Sequence, residues 1–197
     1  MIIQKTINGR EVELEILKDN ITIQKVDAIV NAAHSGLTGG GGVDGAIHRA
    51  AGHDLLVECM ELEFVEPGVR CRVGEACLTN GHNLLAPYVI HTVAPRFIGS
   101  VVQGKLKNAK EGTDEDLKAC YINCMRLASS NNMTSIAFPS LGTGGHAYPV
   151  EIAAPIAVNS VLEALEESDT INSVKFVCYS QFDYDTYVSV LIGGLPF

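Results

Sequence analysis

The sequence predicts an α/β layered fold with helices on both faces of a largely parallel sheet, and three observations carry that prediction. Short apolar runs rich in β-branched residues alternate with stretches of helical periodicity. Two of those runs end in glycine-rich loops that lead into helices. No repeat and no Pro-, Gly- or Ser-rich linker divides the 197 residues, which read as one domain over residues 1–197. At 47% hydrophobic and 19% charged, the chain holds enough apolar side chain to offset the entropy of ordering.

Each element has a local reason. Apolar runs on either side of Asn8-Gly9 read as a hairpin, and the alternation Glu11-Val12-Glu13-Leu14-Glu15-Ile16 gives it one wet face. Asp27 to Ala33 is almost wholly apolar, as expected of a central strand buried on both sides. Helical periodicity over Val43 to Ala51 and His53 to Leu62 is interrupted by Gly52. Ala76 to Thr79 and Tyr88 to Val93 are strands divided by the turn-forming Asn80-Gly81-His82-Asn83. Phe97 to Gly112 shows no period and is expected as the longest loop. Thr113 is expected to cap a helix over Asp114 to Ser129, and Ser135 to Phe138 is a strand ending at Pro139. Pro149 suits the first position of a helix running to Glu167, Val174 to Cys178 is a strand, and Asp183 is expected to cap a last helix to Leu191.

Charge narrows the function. A formal net charge of −9 is the wrong sign for gripping a phosphate backbone over a broad face, so extended nucleic-acid binding is not expected. A small anion is a different matter, because backbone N–H groups and helix N-termini bind phosphate without basic side chains. The N-terminus lacks a leader pattern and no apolar run approaches a bilayer span, so the expected setting is cytoplasmic, away from membranes. Six cysteines without a C-x-x-C pair or zinc spacing are expected as reduced, packed thiols, and no metal or cofactor is expected.

The glycine loops carry the chemistry. Gly39-Gly40-Gly41-Gly42 precedes a helix at Val43-Asp44, and with no Cβ in the path the backbone can close on a diphosphate while unpaired helix N–H groups face the same point. Ser140-Leu141-Gly142-Thr143-Gly144-Gly145-His146 again follows a strand, so both loops fall on one rim of the sheet. No Lys-Ser or Lys-Thr follows the glycines, and the dinucleotide spacing is absent, which argues against a nucleoside triphosphatase or a nicotinamide oxidoreductase.

The segments Val26 to Ala33, Gly39-Gly40-Gly41-Gly42-Val43-Asp44-Gly45-Ala46-Ile47-His48, Val89-Ile90-His91-Thr92-Val93 and Phe138-Pro139 with its glycine loop together resemble the macrodomain family, closest to its MacroD-type branch. The resemblance implies a three-layer α/β/α sandwich around a mixed, largely parallel sheet that binds ADP-ribose or ADP-ribosylated protein. For that branch it implies hydrolysis of ADP-ribosyl esters on acidic side chains and of O-acetyl-ADP-ribose. Carried across by position, Asn20-Ile21 stands where the family has Asp-Ile at the adenine amino group, an acceptor that asparagine's carbonyl can replace. Gly142, Thr143, Gly144 and Gly145, flanked by Ser140 and Leu141, match the diphosphate loop. Gly40, Gly41, Gly42 and Val43, with Asn31, match the distal-ribose wall, and Asp44 matches the acid beside the scissile ester. Phe182 or Tyr179 is a candidate adenine platform, with a core aromatic as the alternative.

Two departures fall at the distal-ribose end. His34 replaces a second asparagine, and His146 replaces an aromatic ring. Imidazoles as a class exchange protons near neutrality, so His34 is counted with Asp44 as a catalytic candidate, while either substitution also fits a reader that binds ADP-ribose without cleaving it. The other histidines read more plainly: His48 as structural, His91 as a satisfied core or supporting group, and His53 and His82 as solvent-facing.

Overall fold

The structure, a computed structural model, describes residues 1–97, 99–102, 105–107 and 113–193. A seven-stranded sheet runs, edge to edge, Ile2–Ile7, Arg10–Lys18, Ser173–Cys178, Ser135–Pro139, Ala28–Ala32, Tyr88–Thr92 and Ala76–Asn80. The hairpin β1 (Ile2–Ile7) and β2 (Arg10–Lys18) closes at Asn8-Gly9, both with positive φ, and pairs Ile7 with Arg10. Strands β2, β9 (Ser173–Cys178), β8 (Ser135–Pro139), β3 (Ala28–Ala32) and β5 (Tyr88–Thr92) are mutually parallel, and β4 (Ala76–Asn80) returns antiparallel beside β5. All five parallel strands therefore finish on the same rim.

Alternation along each strand divides the core in two. Leu14, Ile16, Val30, Phe138 and Phe176 point toward α3 (Thr113–Ser130), α4 (Val150–Glu167) and α5 (Gln181–Ile192). Ile29, Val89, Ala137 and Val177 point the other way, toward α1 (Gly42–Ala51) and α2 (His53–Glu61). The result is the expected α/β/α sandwich with a mixed sheet at its centre. Tyr121, Phe138, Phe176 and Tyr187 form a chain of rings with successive centroids 5.2, 6.3 and 5.3 Å apart beneath the second glycine loop.

Local details differ from expectation at helix starts. Pro149 is the N-cap of α4 and not its first residue, and α3 already begins at Thr113, a one-residue difference of the size that boundary definitions allow. At α5 the cap is Ser180, whose Oγ accepts from Asp183 N–H at 3.0 Å while Asp183 reaches back to Ser180 N–H, a capping box in which Asp183 is the third residue. Within the stretch expected as one long loop, Ser100–Val102 (β6) and Lys105–Lys107 (β7) pair antiparallel; residues 98, 103–104 and 108–112 of it lie outside the described residues. Among the described residues no helix is long and apolar enough to cross a membrane. Five cysteines are buried and Cys77 is half-buried, all as free thiols.

Candidate active site

The site is assembled from the loops that leave the parallel strands. At the end of β3, Asn31 is fully buried and its chain turns away through Leu37 and Gly39, both with positive φ, into the glycine run. Gly42 also takes positive φ, at 58°, and Gly41 caps α1 without a side chain. The first N–H groups of α1 are thus left facing outward at the helix's positive end. Gly45 permits a close approach: a Cβ there would stand 2.4 Å from Gly40 O. The glycine loop lies directly on the first turn of its own helix.

That first turn presents Asp44, 5% exposed. Its Oδ1 accepts a hydrogen bond from Asn31 Nδ2 at 2.7 Å, and its Oδ2 lies 3.1 Å from where a Cβ on Gly40 would be. One turn on, His48 Nε2 is 3.4 Å from Asp44 Oδ1, within ion-pair range but outside hydrogen-bond geometry, and is buried with no hydrogen-bond partner among the described residues. A cavity of about 370 Å³ lies against Gly39, Gly40, Gly45, His48 and Arg49. Behind Asn31, Nδ2 also stands 3.1 Å from His91 Nδ1, and His91 Nε2 is 2.8 Å from Thr79 Oγ1. Burial, with His48 nearby, pulls His91 down to about 3, so its ring is neutral.

The second loop is built from backbone. After β8, Ser140 and Leu141 are held from below by two buried phenols: Leu141 N–H donates to Tyr121 Oη at 3.2 Å and Tyr187 Oη donates to Ser140 Oγ at 3.2 Å. Gly142, at φ 79°, turns the chain, Tyr148 N–H closes back on Gly142 O at 3.0 Å, and Ala147 N–H on Gly144 O at 2.8 Å. Thr143 Oγ1 donates to Ser140 O, while Gly144 and Gly145 are exposed and have open space where a Cβ would be. His146 Nδ1 donates to Ala94 O at 2.8 Å, since a carbonyl only accepts.

Both glycine loops, Asn31 and Asp44 converge on the rim, as expected. His34 is exposed, and its Nδ1 accepts from Gly36 N–H at 3.1 Å; it makes no hydrogen bond to Asp44. Asn20 caps a 3-10 turn at Ile21–Ile23, its Oδ1 taken by Thr22 N–H at 3.0 Å and Thr22 Oγ1 at 2.9 Å. A carboxylate does lie beside it: Asp19 accepts from Asn20 N–H and from Gln24 Nε2. Phe182 and Tyr179 are 59% and 93% exposed beyond β9, which removes the core-aromatic alternative.

The Macro domain family profile matches residues 30–157, from the middle of β3 into α4. The chain belongs to the macro domain family. Among its relatives, the macro domain-containing protein CT2219 of Chlorobaculum tepidum is 45% identical over 181 residues, 92% of this chain and 96% of that one. The O-acetyl-ADP-ribose deacetylase 2 of Pantoea vagans is 37% identical over 179 residues, 91% and 98% of the two chains. Among solved structures, the Oceanobacillus iheyensis macrodomain with ADP superposes with a TM-score of 0.85 at 36% identity, covering 98% of this chain and 96% of that one. The Trypanosoma brucei macrodomain in complex with ADP-ribose gives 0.77 at 35% identity, covering 90% and 68%.

In this macro domain two supporting groups, Tyr121 and Tyr187, are ones that sequence reasoning left aside, whereas His91 was expected as a core or supporting group. Tyr121 and Tyr187 carry an apolar-helix signature, and nothing in the local pattern shows that their hydroxyls reach the loop root. His91 did carry a signal, a polar residue in the apolar run Val89 to Val93, but its cross-strand pairing with Asn31 is a matter of register.

Proposed function

We propose that this macro domain binds ADP-ribose along the rim and hydrolyses ADP-ribosyl esters, on acidic side chains of proteins or as O-acetyl-ADP-ribose. The observation that carries the reading is Asp44, a buried carboxylate oriented by Asn31 beside an N-terminus left open by Gly41. The solved relatives holding ADP and ADP-ribose, and the relatives named as deacetylases, support it. In this reading the backbone of Gly142 to Gly145 and the first turn of α1 take the diphosphate and distal ribose. Phe182 or Tyr179 stacks on adenine, and Ile21 backs the ring. Asp19 accepts from the adenine amino group, because its neighbour Asn20, the residue at the expected position, spends its side-chain oxygen on Thr22. Asp44 accepts hydrogen bonds from a ribose hydroxyl and a water, whose OH and H replace the ester C–O bond to yield ADP-ribose and a free carboxylic acid. The partner is ADP-ribose or an ADP-ribosylated protein, and no metal or cofactor is assigned a step.

Single-turnover release of ADP-ribose from a protein modified on glutamate or aspartate tests this. The wild type releases it, and Asp44→Ala loses release while calorimetry still shows ADP-ribose binding. Release unchanged in Asp44→Ala removes the role of Asp44. One observation favours a second reading, a non-catalytic reader: His34, which stands where the branch has an asparagine, is engaged with Gly36 and not with Asp44. Tight binding with no release by the wild type, and release gained in His34→Asn, is the outcome that selects the reader.

A further inference from the structure

Asn31 is a junction with a choice. Its side-chain amide can sit either way round, since the nitrogen and oxygen have the same shape. With Nδ2 toward Asp44 the carboxylate receives a proton donor; turned over, a carbonyl oxygen would face that carboxylate at 2.7 Å. The other neighbour within hydrogen-bond reach of Nδ2 is His91 Nδ1, at 3.1 Å. An imidazole nitrogen there reinforces the first arrangement only when it is a bare acceptor.

We propose that His91 is a positioning residue for the reaction assigned above: by offering Nδ1 as a permanent acceptor it holds the Asn31 amide with its donors toward Asp44, and so fixes the carboxylate that orients the substrate. This inference rests on the proposed hydrolase reading for its consequence but not for its geometry. His91 never touches substrate; it is fully buried in β5, cross-strand from Asn31, and acts through it. Thr79, on the neighbouring β4, stands at the opposite ring edge with its Oγ1 2.8 Å from Nε2, placed to accept the ring's one proton when Nδ1 accepts from Asn31, and Cys59 Sγ stands 3.7 Å from the same nitrogen. Titratable and charged neighbours of the ring are Cys59, Cys77 opposite it on β4, Asp44 through Asn31, and His48, whose centroid is 6.4 Å away. Burial keeps the ring from taking a second proton, and the Asn31 Nδ2 donor facing Nδ1 leaves Nε2, beside Thr79 Oγ1, as the place for the one it has. Both protons of Asn31 Nδ2 are then used, one on Asp44 and one on His91. Its Oδ1 is left buried without a hydrogen-bond partner among the described residues, as an acceptor held in one direction.

The test uses the full chain labelled with nitrogen-15, together with His91→Leu, which removes the acceptor, and His91→Asn, whose side-chain oxygen replaces Nδ1. The wild-type spectrum is expected to show His91 as the Nε2–H tautomer, unchanged between about pH 5 and pH 8. The Asn31 side-chain amide pair should shift in His91→Leu and return toward its wild-type position in His91→Asn. Single-turnover release should slow by about tenfold in His91→Leu, stay within about threefold of wild type in His91→Asn, and change more than ADP-ribose affinity does in either. A protonated Nδ1 in the wild type, or an unmoved Asn31 amide in a folded His91→Leu, overturns the proposal. So does His91→Leu releasing ADP-ribose at the wild-type rate. If the wild type itself releases nothing, the hydrolase reading fails separately, and the amide and imidazole signals still decide whether His91 sets Asn31. If His91→Leu does not fold, the tautomer and the Asn variant decide it.

Discussion

Replacing Gly45 by alanine isolates the contact between the first glycine loop and its helix. A Cβ at this position would stand 2.4 Å from Gly40 O and 3.0 Å from Arg49 Nη1, whereas ordinary contact begins at 3.4 Å. The Gly40 carbonyl must therefore retreat by about 1 Å, because it is backbone and has no rotamer to change. Two stability effects oppose each other: alanine in place of a helical glycine gains about 1 kcal/mol, and overpacking costs about 1–3 kcal/mol. The net loss is about 0–2 kcal/mol, a fall in Tm of no more than about 8 °C for a chain of this size. The functional effect is expected to be larger. Gly40 borders Asp44 Oδ2, and a displacement of about 1 Å in a positioning element costs up to about 100-fold in rate. The assay pairs thermal denaturation with single-turnover ADP-ribose release and calorimetry. A variant whose Tm rises by about 2–4 °C, the helix gain alone, with release and affinity unchanged, would refute the close seating of the loop.

Other expectations are more local. Asp27 Oδ2 accepts from Thr134 N–H, Thr134 Oγ1 and Ser135 N–H. Burial raises its pKa, but those hydrogen bonds outweigh it and hold the group below the ordinary value of 3.8. Its contribution is thus full above that value and lost as pH falls through the depressed one, so the Tm gap between wild type and Asp27→Ala should close on acidification below about pH 4. Ser180→Ala removes the cap of α5 and should lower Tm by about 2–4 °C for about 1 kcal/mol. Tyr121→Phe strands the buried Leu141 N–H at a cost of about 1–3 kcal/mol, read in denaturant unfolding, and should weaken ADP-ribose binding by loosening the loop root.

The sequence made some of this site legible and hid the rest for a physical reason. Short-range chemistry was readable: the apolar run into Asn31, the glycines before Asp44, and the strand-loop-helix step at Phe138 to His146. The capping of α5 was also written locally, as Ser180 followed three residues later by Asp183, yet Asp183 was the residue expected to cap. What the pattern could not show depends on register and distance. His91 meets Asn31 because β5 lies beside β3 with those residues opposite, and Tyr121 reaches Leu141 across 20 positions of chain. Asn20 illustrates the reverse: its position was anticipated, but the hydrogen bonds of its own turn occupy the oxygen that the adenine role needs.

The acidic stripe of β2 has a consequence beyond the site. Glu11, Glu13 and Glu15 lie on the sheet face opposite Val12, Leu14 and Ile16, and each has a partner across a strand: Thr6, Gln4 and Lys175. That polar ladder serves as a guard against stacking, since a second sheet would have to dehydrate three carboxylates to lie against it. The same macro domain with these glutamates changed to valine would be expected to keep its ligand chemistry and lose colloidal stability, precipitating at concentrations where the native chain stays dispersed.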